Sequence, residues 1–428
     1  MTPTFSALSH RNFRLFATGQ IVSNTGTWMQ RIAQDWLILG LTAGSGKALG
    51  LITALQFLPL LLFSLWGGVL ADRLPKRKVL VVTQAIMGVQ ALVLGILVVT
   101  HSVQVWQVYV LAVVLGTAAA LDNPVRQSFV SEMVTLGDLP NAVALGSATF
   151  NLGRVIGPAM AGLLIGAFGT GPVFFVNAAS YVVVIGFLLL MRSAELRPAA
   201  RAPRGPGALR AGLRYVTGRP DLLLIMLIMA VLGTFGLNFQ ITIALMATQA
   251  FHVGATQFGL LTTAFAAGSL TGALLSARRA GRTKARPSLR RVVALTVGFG
   301  VLEIVSGTAP SYAIFAAMLF PTGLLALSAI TAANASLQLG ADPTMRGRVM
   351  ALYTLVFFGG TPFGAPIIGW LAEAKGPRWS LVGGGAITVV LIAIIAFVLR
   401  SALRVPIPGP AQGAAAESDP ALESVRTE

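Results

Sequence analysis

Twelve long apolar stretches recur along the chain, and they decide most of what it can fold into. They run over about 15–41, 48–71, 79–100, 105–121, 140–168, 173–191, 222–248, 257–277, 292–308, 312–338, 349–371 and 380–399. A helix needs roughly 20 apolar residues to cross the ~30 Å of hydrocarbon in a bilayer. Inside lipid each backbone N–H and C=O must be satisfied within its own segment, so each stretch is expected to be a helix. Composition agrees: 55% of the 428 residues are apolar and only 11% are Asp, Glu, Lys or Arg, against about 25% charged in a soluble domain. The expected fold class is an all-α integral membrane protein with twelve transmembrane helices. The polar N-terminus lacks the apolar core of a secretory leader, so the first stretch is expected to stay in the mature chain.

An even number of spans puts both termini on one side. If that side is cytoplasmic, 26 of the 31 Lys and Arg residues fall in its loops and tails. Three (Lys47, Lys375 and Arg378) fall on the other side, and Arg31 and Arg154 lie within spans. Basic residues accumulate in cytoplasmic loops. The expected location is therefore the cytoplasmic (inner) membrane, multi-pass, with both termini cytoplasmic. The same rule accounts for the net charge of +17, so no nucleic-acid partner is expected. There is no cysteine, and His10, His101 and His252 have no ligand spacing, so neither metal nor cofactor is expected. Gly44-Ser45-Gly46-Lys47-Ala48 lacks the leading glycine and the hydroxyl residue of a phosphate-binding loop, and it faces outward. The chain is not expected to be an enzyme. Its expected partners are the lipid bilayer, a small-molecule substrate and a proton or other ion gradient, and the expected state is a monomer.

The first stretch is unusual among the twelve. At 100° per residue, Gln20, Ser23, Asn24, Thr27, Gln30, Arg31, Gln34 and Asp35 share an arc of about 140°. Ile21, Val22, Met29, Ile32, Ala33 and Trp36 fall opposite. Charged groups in hydrocarbon cost several kcal/mol, so the stripe must face a hydrated cavity or the interior of a bundle. A hydrated path through a membrane is a feature of transport.

The two ends of the chain are related. At a constant offset of 207, Ala144, Leu145, Gly153, Gly157 and Gly162 align with Ala351, Leu352, Gly360, Gly364 and Gly369. Gly68 and Leu70 align with Gly272 and Leu274 at an offset of 204. The chain is expected to divide into an N-terminal six-helix half (1–191), a cytoplasmic linker (192–219), a C-terminal six-helix half (220–400) and a disordered cytoplasmic tail (401–428). Repeated halves place a binding site at their interface near the bilayer midplane.

Local motifs point to a family. Residues 67–80 read GGVLADRLPKRKVL. This resembles motif A of the major facilitator superfamily, with Gly68, Leu70, Asp72, Arg73 and Lys78 in place, Pro75 where the family has glycine, and Lys76 with Arg77 as the basic pair. The resemblance implies that Asp72 sits near the start of helix 11 and that the basic residue pairs with an acid at the end of helix 4. Asp122 occupies that place in the expected helix. The run Gly153-x-x-x-Gly157-Pro158-x-x-Ala161-Gly162 resembles motif C, which the family associates with exporters. HRNFRLFATGQIVSNTGTWMQRIAQDWL, ALDNPVRQSFV and DLPNAVALGSATFNLGRVIGPAMAG are similar to the branch that includes the enterobactin exporter and related drug:proton antiporters. Motif B departs from that pattern, because Ala112 stands where its arginine precedes Gly116.

The resemblance implies a secondary active transporter that exports a drug-like or siderophore-like molecule by alternating access, with proton antiport. An importer of the same fold and a non-transporting receptor or scaffold are the alternatives. Motif C argues against the first and the polar stripe against the second. At 1.5 Å per residue, Arg31 and Arg154 lie near the midplane and Asp35 one turn further out. A carboxyl group partly out of water favours its protonated form, and a neighbouring Arg favours the charged form. Asp35 is therefore the leading candidate for proton coupling, with a permanent Arg31–Asp35 ion pair as the structural alternative. Asn24, Trp28, Asn151, Asn238 and Gln240 are expected to line the cavity. Arg31 and Arg154 outnumber Asp35, which favours anionic or acceptor-rich substrates. Glu303 is expected to be a packing acid on a peripheral helix.

Overall fold

The structure, a computed structural model, describes residues 3–197, 208–282 and 288–400, with side chains throughout except at 3–4, 64–73, 208–209, 277 and 280–282. Its helices are α1 (Arg11–Leu41), α2 (Gly46–Arg73), α3 (Lys76–Val99), α4 (Val105–Met133), α5 (Leu139–Phe168), α6 (Gly171–Leu189), α7 (Ala208–Thr217), α8 (Pro220–Val231), α9 (Phe239–Leu245), α10 (Ala255–Arg282), α11 (Leu289–Gly307), α12 (Tyr312–Gly340), α13 (Arg346–Gly359), α14 (Thr361–Lys375) and α15 (Pro377–Val398). Among the described residues there is no strand.

All twelve apolar stretches fall on helix. Among the described residues, ten segments are long and apolar enough to cross a membrane, counting Pro220–Ala250 and Arg346–Lys375 as one each. The other two, α1 and α11, have the length but carry too many polar groups. Arg31 and Asp35 interrupt α1; Arg290, Arg291 and Glu303 interrupt α11. Both are held among other helices: α1 packs on α5 and α6, and α11 on α12 and α15.

Three segments differ from the sequence expectation. Helix α4 continues through Pro124 to Met133, twelve residues beyond its expected end at 121. The segment 220–250 is broken at Leu237–Asn238 between two π-helical turns, Leu232–Gly236 and Met246–Ala250. The segment 346–375 is interrupted at Gly360, where Pro362 opens the first turn of α14. Part of the expected linker is also ordered. Helix α7 packs on α13 and α8, and the Tyr215 hydroxyl accepts the Asp342 N–H at 3.1 Å. Arg219 grips Asp221 through two bonds of 3.0 and 2.8 Å. Residues 198–207 and the expected tail, 401–428, lie outside the described residues.

Helices α1–α6 pack on one another and α8–α15 on one another, and the two groups meet along two main seams, α5 with α10 and α2 with α14. The offset glycines make equivalent contacts in both groups. On α1, a Cβ at Gly153 would lie 3.0 Å from Asn24 and Thr25 and one at Gly157 2.6 Å from Trp28 Cβ, while one at Gly162 would lie 2.8 Å from Ala255 O on α10. Their counterparts Gly360 and Gly364 meet Thr234, and Gly369 meets Gly46 and Gly50 on α2. Each set of three glycines therefore serves one close contact within its group and one across the seam, which is why small residues recur at this spacing.

The two ends of the bundle differ. At the end away from the termini, Glu373 of α14 accepts from Ser45 Oγ (2.9 Å) and Lys47 N (3.2 Å), and pairs with Lys47 Nζ at 2.9 Å. Gln249 donates to the Gly44 carbonyl there as well, and Trp36 stacks on Phe258 with centroids 5.8 Å apart. Lys47, the basic residue of the phosphate-loop-like run, is thus part of a clasp between the groups. Among the described residues, the ion pairs at the basic end stay within one group. His10 Nε2 lies 2.8 Å from Asp138 Oδ2. Hydrogen bonds from His10, Ser6 and Thr135 hold the Asp138 carboxyl down at about 2. That contribution is present above the ordinary carboxylate range and is lost only as pH falls towards 2, so it does not vary near neutrality.

Candidate substrate and coupling site

The polar face of α1 serves two purposes. Part of it ties the bundle together. Gln30 donates to Gln90 of α3 (2.9 Å) and accepts from Asn177 of α6 (2.6 Å). Gln34 accepts from Gln56 of α2 at 3.2 Å, and Gln20 accepts from Arg126 of α4 at 2.8 Å. Buried amides paired in this way hold neighbouring helices in register.

The remainder forms the site. The Arg31 guanidinium lies 5.1 Å from the centroid of Trp28 and 5.5 Å from that of Phe57. The Arg154 guanidinium lies 5.8 Å from Trp28 and 5.8 Å from Phe265 of α10. One indole therefore faces two cations, and Phe150 meets its edge at 5.9 Å. Both arginines are only half-buried, and neither makes an ion pair among the described residues. Aromatic faces offset part of the desolvation of a guanidinium, but they leave its five N–H donors free for a ligand.

Asp35 stands one turn away and is 1% exposed. Neither of its carboxyl oxygens has a hydrogen-bond partner. The expected alternative, a permanent Arg31–Asp35 pair, is not formed within ion-pair distance. Gln240 of α9 faces Asp35, but its amide nitrogen is itself without a partner. The polar group nearest in role to Asp35 thus comes from the other group of helices.

The other expected site residues are distributed as follows. Trp28 is half-buried at the centre of the cluster, while Asn24 is buried where α1 crosses Gly153. Asn151 donates to the Ser147 carbonyl of its own helix at 2.8 Å. Asn238 is buried at the break before α9 and donates to the Thr234 and Phe235 carbonyls (2.8 and 3.2 Å), so its amide nitrogen holds the break while its Oδ1 has no partner. Pro158 of motif C presents its carbonyl to Gly259 of α10. Sequence reasoning missed Phe57 and Phe265, because an aromatic residue in an apolar run carries no signal that it covers a cation.

One expectation about motif A is corrected. Among the described residues, Asp122 does not pair with the basic loop. It is buried, accepting from Thr83 Oγ1 (2.7 Å) and Gln84 Nε2 (2.9 Å), with Arg126 Nε at 3.4 Å. Lys76 pairs with Glu132 instead. The reason is the length of α4: its last turn lies three turns beyond Asp122. The side chains of Asp72 and Arg73, and the surroundings of Gly68, lie outside what the structure describes. Replacing Glu132 by Gln is expected to lower the unfolding midpoint, because Lys76 is left part-buried without a counter-charge. Exchanging the two residues (Lys76→Glu with Glu132→Lys) should recover most of the loss in a thermal-unfolding assay, and no such recovery should follow from changing Asp122.

Two groups of helices meeting at a central charged and aromatic site, with apolar helices around them, define a multi-pass membrane transporter of the major facilitator fold. Residues 2–412 match the family described as transmembrane secretion effector, and the chain belongs to that family. It is 26% identical over 378 residues to the multidrug efflux pump Tap of Mycobacterium tuberculosis (strain ATCC 25618 / H37Rv), covering 85% of this chain and 87% of that protein. It is 27% identical over 347 residues to the enterobactin exporter EntS of Citrobacter koseri, covering 80% and 82%. A match to the staphyloferrin A transporter of Staphylococcus aureus is 24% identical and spans 40% of this chain, less than half (43%) of that protein's length. The fold is similar to that of a bacterial homologue of the human lysosomal transporter Spinster in an inward-facing, unoccupied conformation, with a TM-score of 0.73 and 16% identity over 94% of this chain and 98% of that one. These family members and relatives are transporters, not enzymes.

Proposed function

We propose that the protein is a secondary active exporter in the cytoplasmic membrane. It would expel an acceptor-rich or anionic small molecule by alternating access, in exchange for protons. The observation that carries this reading is the pair of guanidiniums, unpaired and reachable by solvent, that share Trp28 beside the unpaired carboxyl of Asp35. The basic end is the cytoplasmic one on this reading, because Lys and Arg favour that side. The clasp at Glu373 then closes the outside, and the conformation is inward-facing. Rocking of α1–α6 against α8–α15 about the two glycine-lined seams would break the clasp and expose the site outward. Asp35 carries the coupling proton in this scheme, since Gln240 of the opposite group stands beside it and would withdraw as the groups separate. The efflux pump Tap and the enterobactin exporter EntS, to which the chain is similar, support export.

The test uses cells stripped of their own efflux pumps and follows accumulation of a compound panel that includes catecholate siderophores and cationic dyes. Lower accumulation of acceptor-rich or anionic compounds, abolished by a protonophore, is the expected result. Higher accumulation would reverse the direction, and no change with any compound despite verified membrane expression would defeat the reading.

A further inference from the structure

The group α8–α15 holds a second buried carboxyl that the export scheme does not use. Glu303 lies on α11 one turn before its outer end and is 1% exposed. Neither of its oxygens has a hydrogen-bond partner. It faces α15 where that helix carries Gly384. A Cβ at Gly384 would lie 3.2 Å from Glu303 Oε1 and 3.0 Å from the Phe235 carbonyl oxygen, so these two oxygens converge on one spot. Thr388, one turn along α15, has a buried Oγ1 without a partner, 3.3 Å from where a Cβ at Gly236 would stand. Asn238 binds the Phe235 carbonyl through its amide nitrogen and leaves its own Oδ1 buried and unpartnered.

The surroundings supply no counter-charge. Among the described residues, α12 carries only Tyr312, at its outer end, and α8 only Asp221, at its inner end. The π-helical turn Leu232–Gly236 carries no ionisable group. On α15 the one such residue is Arg378, whose guanidinium donates to the Gly307 and Ala309 carbonyls (3.2 and 2.5 Å). On α11 itself Arg290 and Arg291 sit at the opposite end. An ionised carboxylate left among acceptors in such a place costs several kcal/mol. A monovalent cation bound there removes that cost. A proton does so and also turns the carboxyl into a donor for one of the unpartnered acceptors.

We propose that Glu303, with Thr388, Asn238 and the Phe235 carbonyl, forms a second monovalent-cation site, which holds a proton in this conformation and exchanges it with solvent when the segment Pro220–Ala250 changes its bend at Leu237–Asn238. Phe235 and Asn238 belong to that broken segment, so a rotation there changes where two of the four oxygen-bearing groups stand relative to Glu303. Single π-helical turns inside α-helices are frequent at functional sites, and this one lies directly against the carboxyl. Sodium would be held by the same oxygens, and the test separates it from the proton.

The experiment reads the carboxyl itself. Full-length wild type and Glu303→Gln are placed in lipid nanodiscs, and infrared difference spectra are recorded across a pH series with and without sodium. The expected result is a protonated-carboxyl C=O band in the wild type that is missing in Glu303→Gln and fades as pH rises. Fading on addition of sodium at fixed pH would identify sodium as a competing occupant. A Gly384→Ala variant, which crowds Glu303 Oε1, should shift the pH at which the band fades without removing it. A band assignable to Glu303 that ignores both pH and sodium, or ionised Glu303 at every pH, overturns the proposal. No transported compound is needed, so failure here is distinguishable from failure of the export reading.

Discussion

Asp35→Asn is expected to abolish proton-driven efflux while leaving the protein folded and in the membrane. The carboxyl is 1% exposed, lacks a hydrogen-bond partner and is not in an ion pair with Arg31. A group held in that condition contributes little to stability, so its loss should not weaken the fold. Asn keeps the shape and exchanges one unpartnered polar group for another that cannot ionise, so the unfolding midpoint of the variant should stay close to that of the wild type. The functional cost has a different origin. Asn cannot carry a proton, so protonophore-sensitive efflux should fall to the level of cells lacking the protein. Ligand binding gives a second reading, with a sign. A carboxylate ~8 Å from a bound anion opposes it by ~2 kcal/mol at an effective dielectric of 20. An anionic ligand should therefore bind more tightly to Asp35→Asn, and a cationic one less tightly. Full gradient-driven efflux in the variant would remove Asp35 from the coupling role, and a marked loss of stability would make it a structural residue.

Arg31→Gln with Arg154→Gln should reduce binding of an anionic ligand by about two orders of magnitude, since each charge-assisted hydrogen bond contributes about 1.5–3 kcal/mol. Each single variant should lose about tenfold. Lysine should not rescue either position, because a compact ammonium on a flexible stem does not stack on Trp28 as a planar guanidinium does. Tenfold losses that multiply to a hundredfold mark independent contributions, and any departure from that product measures coupling through the shared Trp28. Isothermal titration with anionic, neutral and cationic members of one compound series checks this. An equal loss across all three would mean that the arginines shape the bundle rather than recognise charge.

How much of this was visible in the sequence differs by scale. Arg31, Asp35 and Arg154 could be picked out because a charge inside an apolar run is costly and conspicuous, and the glycine spacing of motif C could be read because close helix contacts demand small residues. The pairing of Lys76 with Glu132 could not be read. It depends on α4 running on past Pro124, and apolar content marks where a helix enters lipid, not where it ends in water. In the sequence Glu303 looks like a packing acid on a peripheral helix. Its lack of a partner is a property of what α15 and the broken segment at 237–238 place around it.

The sequence by itself determined the twelve helical stretches, the excess of basic residues at one end and the family, because each follows from local hydrophobicity, charge or residue spacing along a single segment. Only the tertiary structure decided which polar groups on α1 bind other helices and which stay open, that Arg31 leaves Asp35 unpaired, and that Trp28 serves two guanidiniums. Those outcomes depend on distances between side chains from separate helices, and helix packing sets such distances in ways that residue order along one helix does not encode.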